Sequence, residues 1–275
     1  MITPLIKWAG GKRQLRKELF SRLPDQWHTY YEPFIGGGAL LVELANHNLL
    51  TRAVAGDMNP ELVNLYSVVK DYPEELLSAL EQEKFQNNEA AFRQLKDEFN
   101  MLIGTKKEPI ERAALLLYLN KHGYNGLWRV NQKGKYNVPY GRYAKLTLPS
   151  RQSLLQFSMM LQDVSLIHAD FERVVKHAKK GDLVYFDPPY HPLSKTACFT
   201  DYTTGGFCFS DQERLARIFG RLADRGVFVM LSNSKMPEIE DLFTGFRIDT
   251  VEAKRFINCD GTKRTGTSEI IVTNY

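Results

Sequence analysis

Asp187-Pro188-Pro189-Tyr190 follows the apolar run Leu183 to Phe186 and joins a carboxylate, rigid backbone carbonyls and an aromatic ring in four residues. Two successive prolines fix φ and remove two N–H donors, so the segment is stiff, extended and rich in acceptors. A carboxylate and a carbonyl match the two N–H bonds of an exocyclic amino group on a planar base, and Tyr190 supplies a stacking face. The apolar run before the tetrapeptide reads as a buried parallel strand. That places the acceptors at a carboxyl end, where open α/β sheets bind ligands. The plain alternative is a strand exit with a proline turn.

A second group is Glu32-Pro33-Phe34-Ile35-Gly36-Gly37-Gly38, with Asp57 further along. Glycines after a first strand let a ligand approach the backbone closely, and an acid about twenty residues on is placed to bind ribose hydroxyls. Position 41 is Leu, so this is not the G-x-G-x-x-G dinucleotide pattern. The pair points to a nucleoside cofactor; the alternative is a structural turn. Lys7-Trp8-Ala9-Gly10-Gly11-Lys12 adds two lysines, an aromatic ring and a glycine pair, without the spacing of a phosphate-binding P-loop. On composition alone Trp8 is equally a core anchor.

The elements that must position these residues alternate at both ends of the chain. Thr29 to Phe34, Ala53 to Gly56, Val164 to His168, Leu183 to Phe186 and Val227 to Leu231 read as strands. Ser210 and Glu213 form a capping-box pattern before Leu215, Ile218, Phe219 and Leu222, which share one helix face that ends at Gly226. Phe246 to Val251 and Ser268 to Asn274 add an edge hairpin. The alternation predicts a doubly wound α/β sheet. The middle differs. Pro73 to Lys84, Glu89 to Ile103 and Ile110 to Asn120 read as helices, and Leu127 to Val130 pairs with Tyr136 to Pro139 across Asn131 to Lys135 as a hairpin. The expected organisation is a helical module with a basic β-hairpin, residues 60–161, inserted into a domain formed by residues 1–59 and 162–275.

Charge follows the same division. Of 275 residues, 36 are Lys or Arg and 32 Asp or Glu, a net charge of +4. Between Arg112 and Gln162 there is no acid, while Arg112, Lys121, Arg129, Lys133, Lys135, Arg142, Lys145 and Arg151 are basic. A purely basic segment on an otherwise weakly acidic body predicts contact with a polyanion, the bland alternative being a solvated surface. Cys198, Cys208 and Cys259 form no C-x-x-C pair, which excludes a disulfide scaffold and a cysteine zinc site; no metal is expected. The first residues lack an apolar signal core and no apolar run approaches membrane-spanning length. The expectation is a cytoplasmic protein, monomeric in solution, with no membrane partner.

The ordered set of Lys-Trp-Ala-Gly-Gly-Lys at 7–12, Glu-Pro-Phe-Ile-Gly-Gly-Gly at 32–38, Asp57-Met58-Asn59, Tyr-Leu-Asn-Lys-His-Gly-Tyr-Asn-Gly-Leu-Trp-Arg at 118–129, Asn-Val-Pro-Tyr-Gly-Arg-Tyr at 137–143, His168-Ala169-Asp170-Phe171, Asp187 to Tyr190 and Ser232-Asn233 resembles the Dam-type DNA adenine-N6 methyltransferases of the D12 class, over nearly the whole chain. The resemblance implies a Rossmann-like methyltransferase sheet, S-adenosylmethionine as cofactor and adenine in double-stranded DNA as substrate, typically within GATC. Carried over by position, cofactor contacts fall on Trp8, Lys12, Phe34, Gly36, Gly38, Asp57, Asp170, Phe171 and Asp187, and the catalytic motif on Asp187, Pro188, Pro189 and Tyr190. Lys7, Tyr124, Asn125, Leu127, Arg129 and Pro139 match positions that touch bases or fill the gap left by a flipped one. Arginine suits a guanine edge, and leucine and proline suit a thymine methyl. Lys133, Lys135, Arg142 and Lys145 look like phosphate contacts.

The implied mechanism is extrusion of the adenine, stacking on Tyr190, acceptance of its two N–H bonds by Asp187 and the Pro188 carbonyl, and direct in-line attack on the methyl group, with no covalent enzyme intermediate. Three rivals remain at this stage. One is an amino-methyltransferase for cytosine N4 or RNA, whose chemistry the tetrapeptide tolerates. Another is a DNA-binding regulator without catalysis, against which stands an intact tetrapeptide. The third is a nucleotide-dependent dehydrogenase, against which stand the missing third glycine and the basic insert.

Overall fold

The computed structural model describes residues 1–8, 15–145, 148–190, 207–253 and 267–275. In chain order the elements are α1 (Arg16–Phe20), β1 (Tyr30–Glu32), α2 (Ala39–Asn46), β2 (Ala53–Asp57), α3 (Pro60–Asp71), α4 (Pro73–Leu80), α5 (Glu89–Leu102), α6 (Pro109–His122), α7 (Arg151–Leu161), β3 (Val164–His168), α8 (Phe171–Val174), β4 (Leu183–Phe186), α9 (Phe209–Asp224), β5 (Phe228–Ser234), α10 (Pro237–Leu242), β6 (Arg247–Ala253) and β7 (Thr267–Thr273).

The strands form one seven-stranded sheet in the order β3-β2-β1-β4-β5-β7-β6. The first five are parallel; β7 runs antiparallel to both β5 and β6. The short apolar strands alternate between two cores, as a period of two requires. Leu183 and Tyr185 of β4 face one core with Tyr30, Ala53, Met230 and Ile271, while Val184 and Phe186 face the other with Tyr31, Val229, Leu231 and Ile270. The helices α2, α3 and α7 cover the first face, and α8, α9 and α10 the second. The expected edge hairpin exists as the antiparallel pair β6–β7, with β7 on its inner side.

Local sequence explains most helix boundaries. Asn59 caps α3, its side chain accepting the Glu61 N–H at 3.0 Å, and Pro60 occupies the first helical position. Asn88 and Ser150 cap α5 and α7 by accepting N–H bonds from Ala91 and Ser153. Gly226, at φ +74°, closes α9 in the left-handed region. The start of α9 differs from expectation: the helix begins at Phe209, and it is Asp211 that reaches back, accepting the Cys208 N–H at 3.0 Å. With Cys208 at the cap and Phe209 already helical, Ser210 is two residues too late to serve as the cap.

Between β2 and β3 lie five helices, α3 to α7, and they share the first core with the sheet. α6 is buried on nearly every side from Arg112 to Asn120, as its lack of a polar face demands. Glu61 of α3 and Arg112 of α6 are 1% and 4% exposed and form a bidentate pair at 2.8 and 3.0 Å. The Gly104 N–H donates to the same carboxylate, and Arg112 donates to the Thr105 carbonyl, so the turn before α6 is fastened there too.

After α6 the chain makes a short helical turn, Tyr124–Gly126, and two arms that meet only at isolated antiparallel bridges, Gly123 with Tyr140 and Val130 with Tyr136. The expected hairpin is thus reduced, for a visible reason. The Asn137 carbonyl, which a longer ladder would pair with the Arg129 N–H, accepts from the Arg129 guanidinium at 3.1 Å instead, while Asn100 of α5 holds the outer side of the second arm, accepting the Tyr136 N–H at 2.7 Å and donating to its carbonyl at 3.0 Å. Trp128, Tyr136 and Val138 turn inward to the core.

Candidate active site

The parallel strands deliver their last residues to one edge of the sheet. Glu32 ends β1, Asp57 ends β2, His168 ends β3 beside Asp57, and Asp187 follows β4. The chain passes from β1 to β2 on one side and returns to β4 on the other, so a crevice opens between the ends of β1 and β4. Glu32 lies buried there and accepts the Tyr30 hydroxyl at 2.9 Å. Burial pushes its carboxyl up to about 8; the Tyr30 hydrogen bond opposes the shift and the nearby Asp187 charge adds to it.

The tetrapeptide is held from behind by buried side chains. The Ser232 hydroxyl donates to Oδ1 of Asp187 at 3.1 Å and lies 2.8 Å from the Tyr185 hydroxyl. The Gln212 amide of α9 donates to the Pro189 carbonyl at 3.2 Å, and the Asn233 amide donates to Gln212 at 3.0 Å. The Tyr190 hydroxyl donates to the Glu269 carboxylate of β7. Asp187 and Tyr190 are half-buried and Pro188 is buried, so the motif is rigid yet reachable.

The glycine loop lies beside this crevice. Gly36 has φ +45° and donates its N–H to Asp57 Oδ2 at 3.1 Å, while the Asn59 N–H donates to Oδ1 at 2.9 Å. Burial raises the Asp57 carboxyl to about 6 against the pull of those two donors. A Cβ on Gly36 would lie 2.8 Å from the Trp8 indole, so only glycine lets the loop pass under that ring. The Tyr66 hydroxyl donates to the Gly36 carbonyl at 2.7 Å and steadies the loop from α3. Phe34 stacks on Phe171 at 5.3 Å, and Phe207 packs against both rings. Asp170 caps α8 and holds Arg214 through two contacts, 2.9 and 2.7 Å, which set the guanidinium 4.2 Å above Phe171. Lys12 lies outside the described residues. Trp8, Phe34, Gly36, Gly38, Asp57, Asp170, Phe171 and Asp187 all fall along this edge or against its loop. A side-chain-free loop, a half-buried carboxylate, an aromatic cluster and the acidic Asp187 fit a nucleoside bearing a positive charge.

On the flank formed by α6 and the turn after it, Asn120 brings two segments together. It accepts the Lys7 N–H at 2.9 Å and donates to the carbonyls of Lys7 at 2.8 Å and Gly126 at 3.0 Å. Tyr124 is exposed, its N–H donating to the Pro139 carbonyl, and Asn125, at φ 54°, donates its N–H to the Tyr143 hydroxyl. Lys7, Tyr124, Asn125 and Pro139 are therefore one neighbourhood, with Lys7 and Pro139 exposed and Leu127 half-buried beneath. Arg129 is exposed and already donates to the side chain and carbonyl of Asn137 at 2.7 and 3.1 Å. Lys133 is exposed at the loop tip, Lys135 donates to the Asn100 carbonyl, and Arg142 reaches Glu89 at 3.4 Å. Local patterns gave no sign of Gln212, Arg214 or Glu269 as supports, because the site residues they hold lie far off in sequence; Asn120 and Ser232-Asn233 had a signal as part of the motif set.

The model of the D12 class N6 adenine-specific DNA methyltransferases matches residues 8–257. The chain belongs to that family. It is 42% identical over 276 residues to the type II methyltransferase M1.LlaDCHI of Lactococcus lactis subsp. cremoris, covering 100% of this chain and 96% of that one. It is 40% identical to the type II methyltransferase M.MjaIII of Methanocaldococcus jannaschii, covering 100% and 99%. With the DNA adenine methylase of Salmonella typhi it shares 34% identity over 269 residues, covering 97% and 93%. The D12 enzyme described here is thus an adenine-specific DNA methyltransferase, and its family implies S-adenosylmethionine as methyl donor. Among the described residues no helix is long and apolar enough to cross a membrane.

Proposed function

We propose that this D12 enzyme methylates adenine N6 in double-stranded DNA, within GATC, after extruding the base from the helix. The observation that carries the reading is the placement of Asp187 to Tyr190 at the crevice between β1 and β4, acceptors and ring held by Ser232, Gln212 and Glu269. Trp8, Lys12, Phe34, Gly36, Gly38, Asp57, Asp170, Phe171 and Asp187 would hold S-adenosylmethionine, which supplies an electrophilic methyl group on a sulfonium sulfur. Extrusion costs a few kcal/mol, offset in part by stacking on Tyr190. Asp187 and the Pro188 carbonyl accept the two amine N–H bonds, drawing the nitrogen toward tetrahedral geometry and freeing its lone pair for direct in-line attack. No covalent bond to the enzyme is needed.

Residues 60–161 serve in this reading as the target-recognition module, working where DNA is, in the cytoplasm. Lys7, Tyr124, Asn125, Leu127, Arg129 and Pro139 contact bases or the vacated stack, and Lys133, Lys135, Arg142 and Lys145 contact phosphates. Mapping modified bases in plasmid DNA after expression in a methylation-free host tests site and base together. N6-methyladenine at GATC is expected; methylation of cytosine N4, or of RNA alone, overturns the reading. Asp187→Ala should lower single-turnover methyl transfer on the order of hundredfold or more while DNA binding stays within a few-fold. Transfer near the wild-type rate would remove Asp187 from the chemistry.

A further inference from the structure

The geometry points to Glu269 as a positioning residue that fixes the Tyr190 ring for stacking on the extruded base; the inference rests on the stacking role proposed for Tyr190. β7 is antiparallel to β5, with Glu269 opposite Ser234, so β7 begins where the parallel strands end. An antiparallel strand thereby presents its first residues at the edge where its neighbours present their last. Glu269, 9% exposed, meets the Tyr190 hydroxyl there, 79 residues away in sequence.

A tyrosine ring after two prolines still turns about χ1 and χ2. Stacking tolerates little tilt, and the two prolines fix only the backbone. A hydrogen bond at the phenol oxygen, the point of the ring farthest from the chain, fixes χ1 by holding that atom in place; the oxygen lies on the χ2 axis, so the ring's turn about that axis is restrained through the preference of the O–H bond for the ring plane. Burial, then the charges of Asp187 and Glu269, push the Tyr190 hydroxyl well above its ordinary range, so it stays a donor. The other end of the tetrapeptide is fixed separately, through Ser232 on Asp187 and Gln212 on the Pro189 carbonyl. The support of the ring is therefore separable from the support of the acceptors.

The test is single-turnover methylation of an adenine-containing duplex by Glu269→Ala, Glu269→Gln, Tyr190→Phe, Tyr190→Ala and the double variant Tyr190→Phe/Glu269→Ala, with DNA affinity and base extrusion read separately on a matched duplex whose target adenine is replaced by 2-aminopurine, a fluorescent base that lacks the N6 amine. Glu269→Ala and Tyr190→Phe should each slow methyl transfer about tenfold with affinity changed less than about twofold, and the double variant should be no slower than the worse single. Glu269→Gln, whose amide oxygen still accepts the phenol hydrogen, should stay within about threefold of wild type. The 2-aminopurine signal in the ternary complex should change for Glu269→Ala and not for Glu269→Gln. Tyr190→Phe leaves β7 untouched, so it reports even where Glu269→Ala fails to fold. Wild-type turnover by Glu269→Ala or Tyr190→Phe, beside an impaired Tyr190→Ala, overturns this inference alone, as does a double variant that multiplies the two losses. Tyr190→Ala with wild-type turnover overturns the stacking role and this inference together.

Discussion

Two carboxyls at neighbouring strand ends are treated differently by burial. Glu32 is pushed to about 8 and is neutral at pH 7, whereas Asp57 is raised only to about 6 and is mostly ionised there. The difference lies in the partners: Asp57 accepts backbone bonds from Asn59, Gly36 and Met58 with His168 nearby, whereas Glu32 has the Tyr30 phenol and one backbone bond from Leu41 beside the negative charge of Asp187. For the folded state, a raised carboxyl means stability is greatest below the ordinary 3.8 and declines until pH passes 6. In the proposed cofactor site the response should have the opposite sign, since ribose hydroxyls would donate to the ionised form. Calorimetry should show S-adenosylmethionine affinity level above pH 7 and falling below pH 6 by up to about tenfold per unit, with Asp57→Asn weaker at pH 8 and flat in pH. An unchanged slope in that variant would move the titration elsewhere. Asp57 and Asp187 were legible in sequence because each follows an apolar strand, and a strand end is a place. Glu32 was legible as a motif member but not as a neutral acid. Its state depends on what packs around it.

At the scale of elements, β4 spans the residues its apolar run delimits, because Asp182 and Asp187 bound it, and β3, at the sheet edge, spans the expected residues although only Val164 of it is buried. The position of β7 was not legible. Periodicity marks a strand but not its neighbours, and nothing local says that the last strand enters between two earlier ones. The basic arms after α6 were legible as turn and charge, not as the reduced pairing they adopt, in which the Arg129 side chain takes the Asn137 carbonyl and Asn100 holds the outer side of Tyr136 from another helix. The same contacts sort the cations. Lys133 and Lys135 are both exposed, but Lys135 also donates to the α5 carbonyl of Asn100, so Lys133 at the tip gives the simpler test of a phosphate contact. Lys133→Ala should weaken binding to all duplexes alike and lower the salt slope by about one. Arg129→Ala should cost about 1–3 kcal/mol at the preferred site and relax selection at one guanine. Binding titrations on the preferred site and its single-base variants, at several salt concentrations, separate the two; equal loss on every sequence would make Arg129 a phosphate contact.

For the whole molecule, the proposed inserted module and the sheet share one hydrophobic cluster, from Tyr30 and Met230 through Tyr66 to Phe99 and Trp128. The Glu61–Arg112 pair lies inside that shared region. Removing one partner strands a buried charge, so Glu61→Ala should destabilise the protein by about 3–5 kcal/mol. Because the core is continuous, urea unfolding followed by tryptophan fluorescence and by far-ultraviolet dichroism should still give coincident transitions. Two separated transitions would mean the recognition helices unfold on their own. The sequence showed two compositions and two charge regimes, and so suggested two units. It could not show that they are cemented, because the contacts that cross between them, Trp8 with Trp128 and the Tyr66 hydroxyl with the Gly36 carbonyl, join residues far apart in the chain.

The placement of β7 also bears on synthesis. β5 and β6 are both made before the strand that separates them. A nascent chain that has reached residue 253 holds a β5 edge without its neighbour and a β6 with nothing to pair, both open templates for another strand. The sheet closes only when residues 267–273 leave the ribosome, and Glu269 arrives with them. A partly made enzyme therefore has its loop, its acceptors and its recognition arms, but not the support of Tyr190. In the proposed site, the residue that steadies the ring is thus the last to be made, after the glycine loop, Asp187 and Gln212.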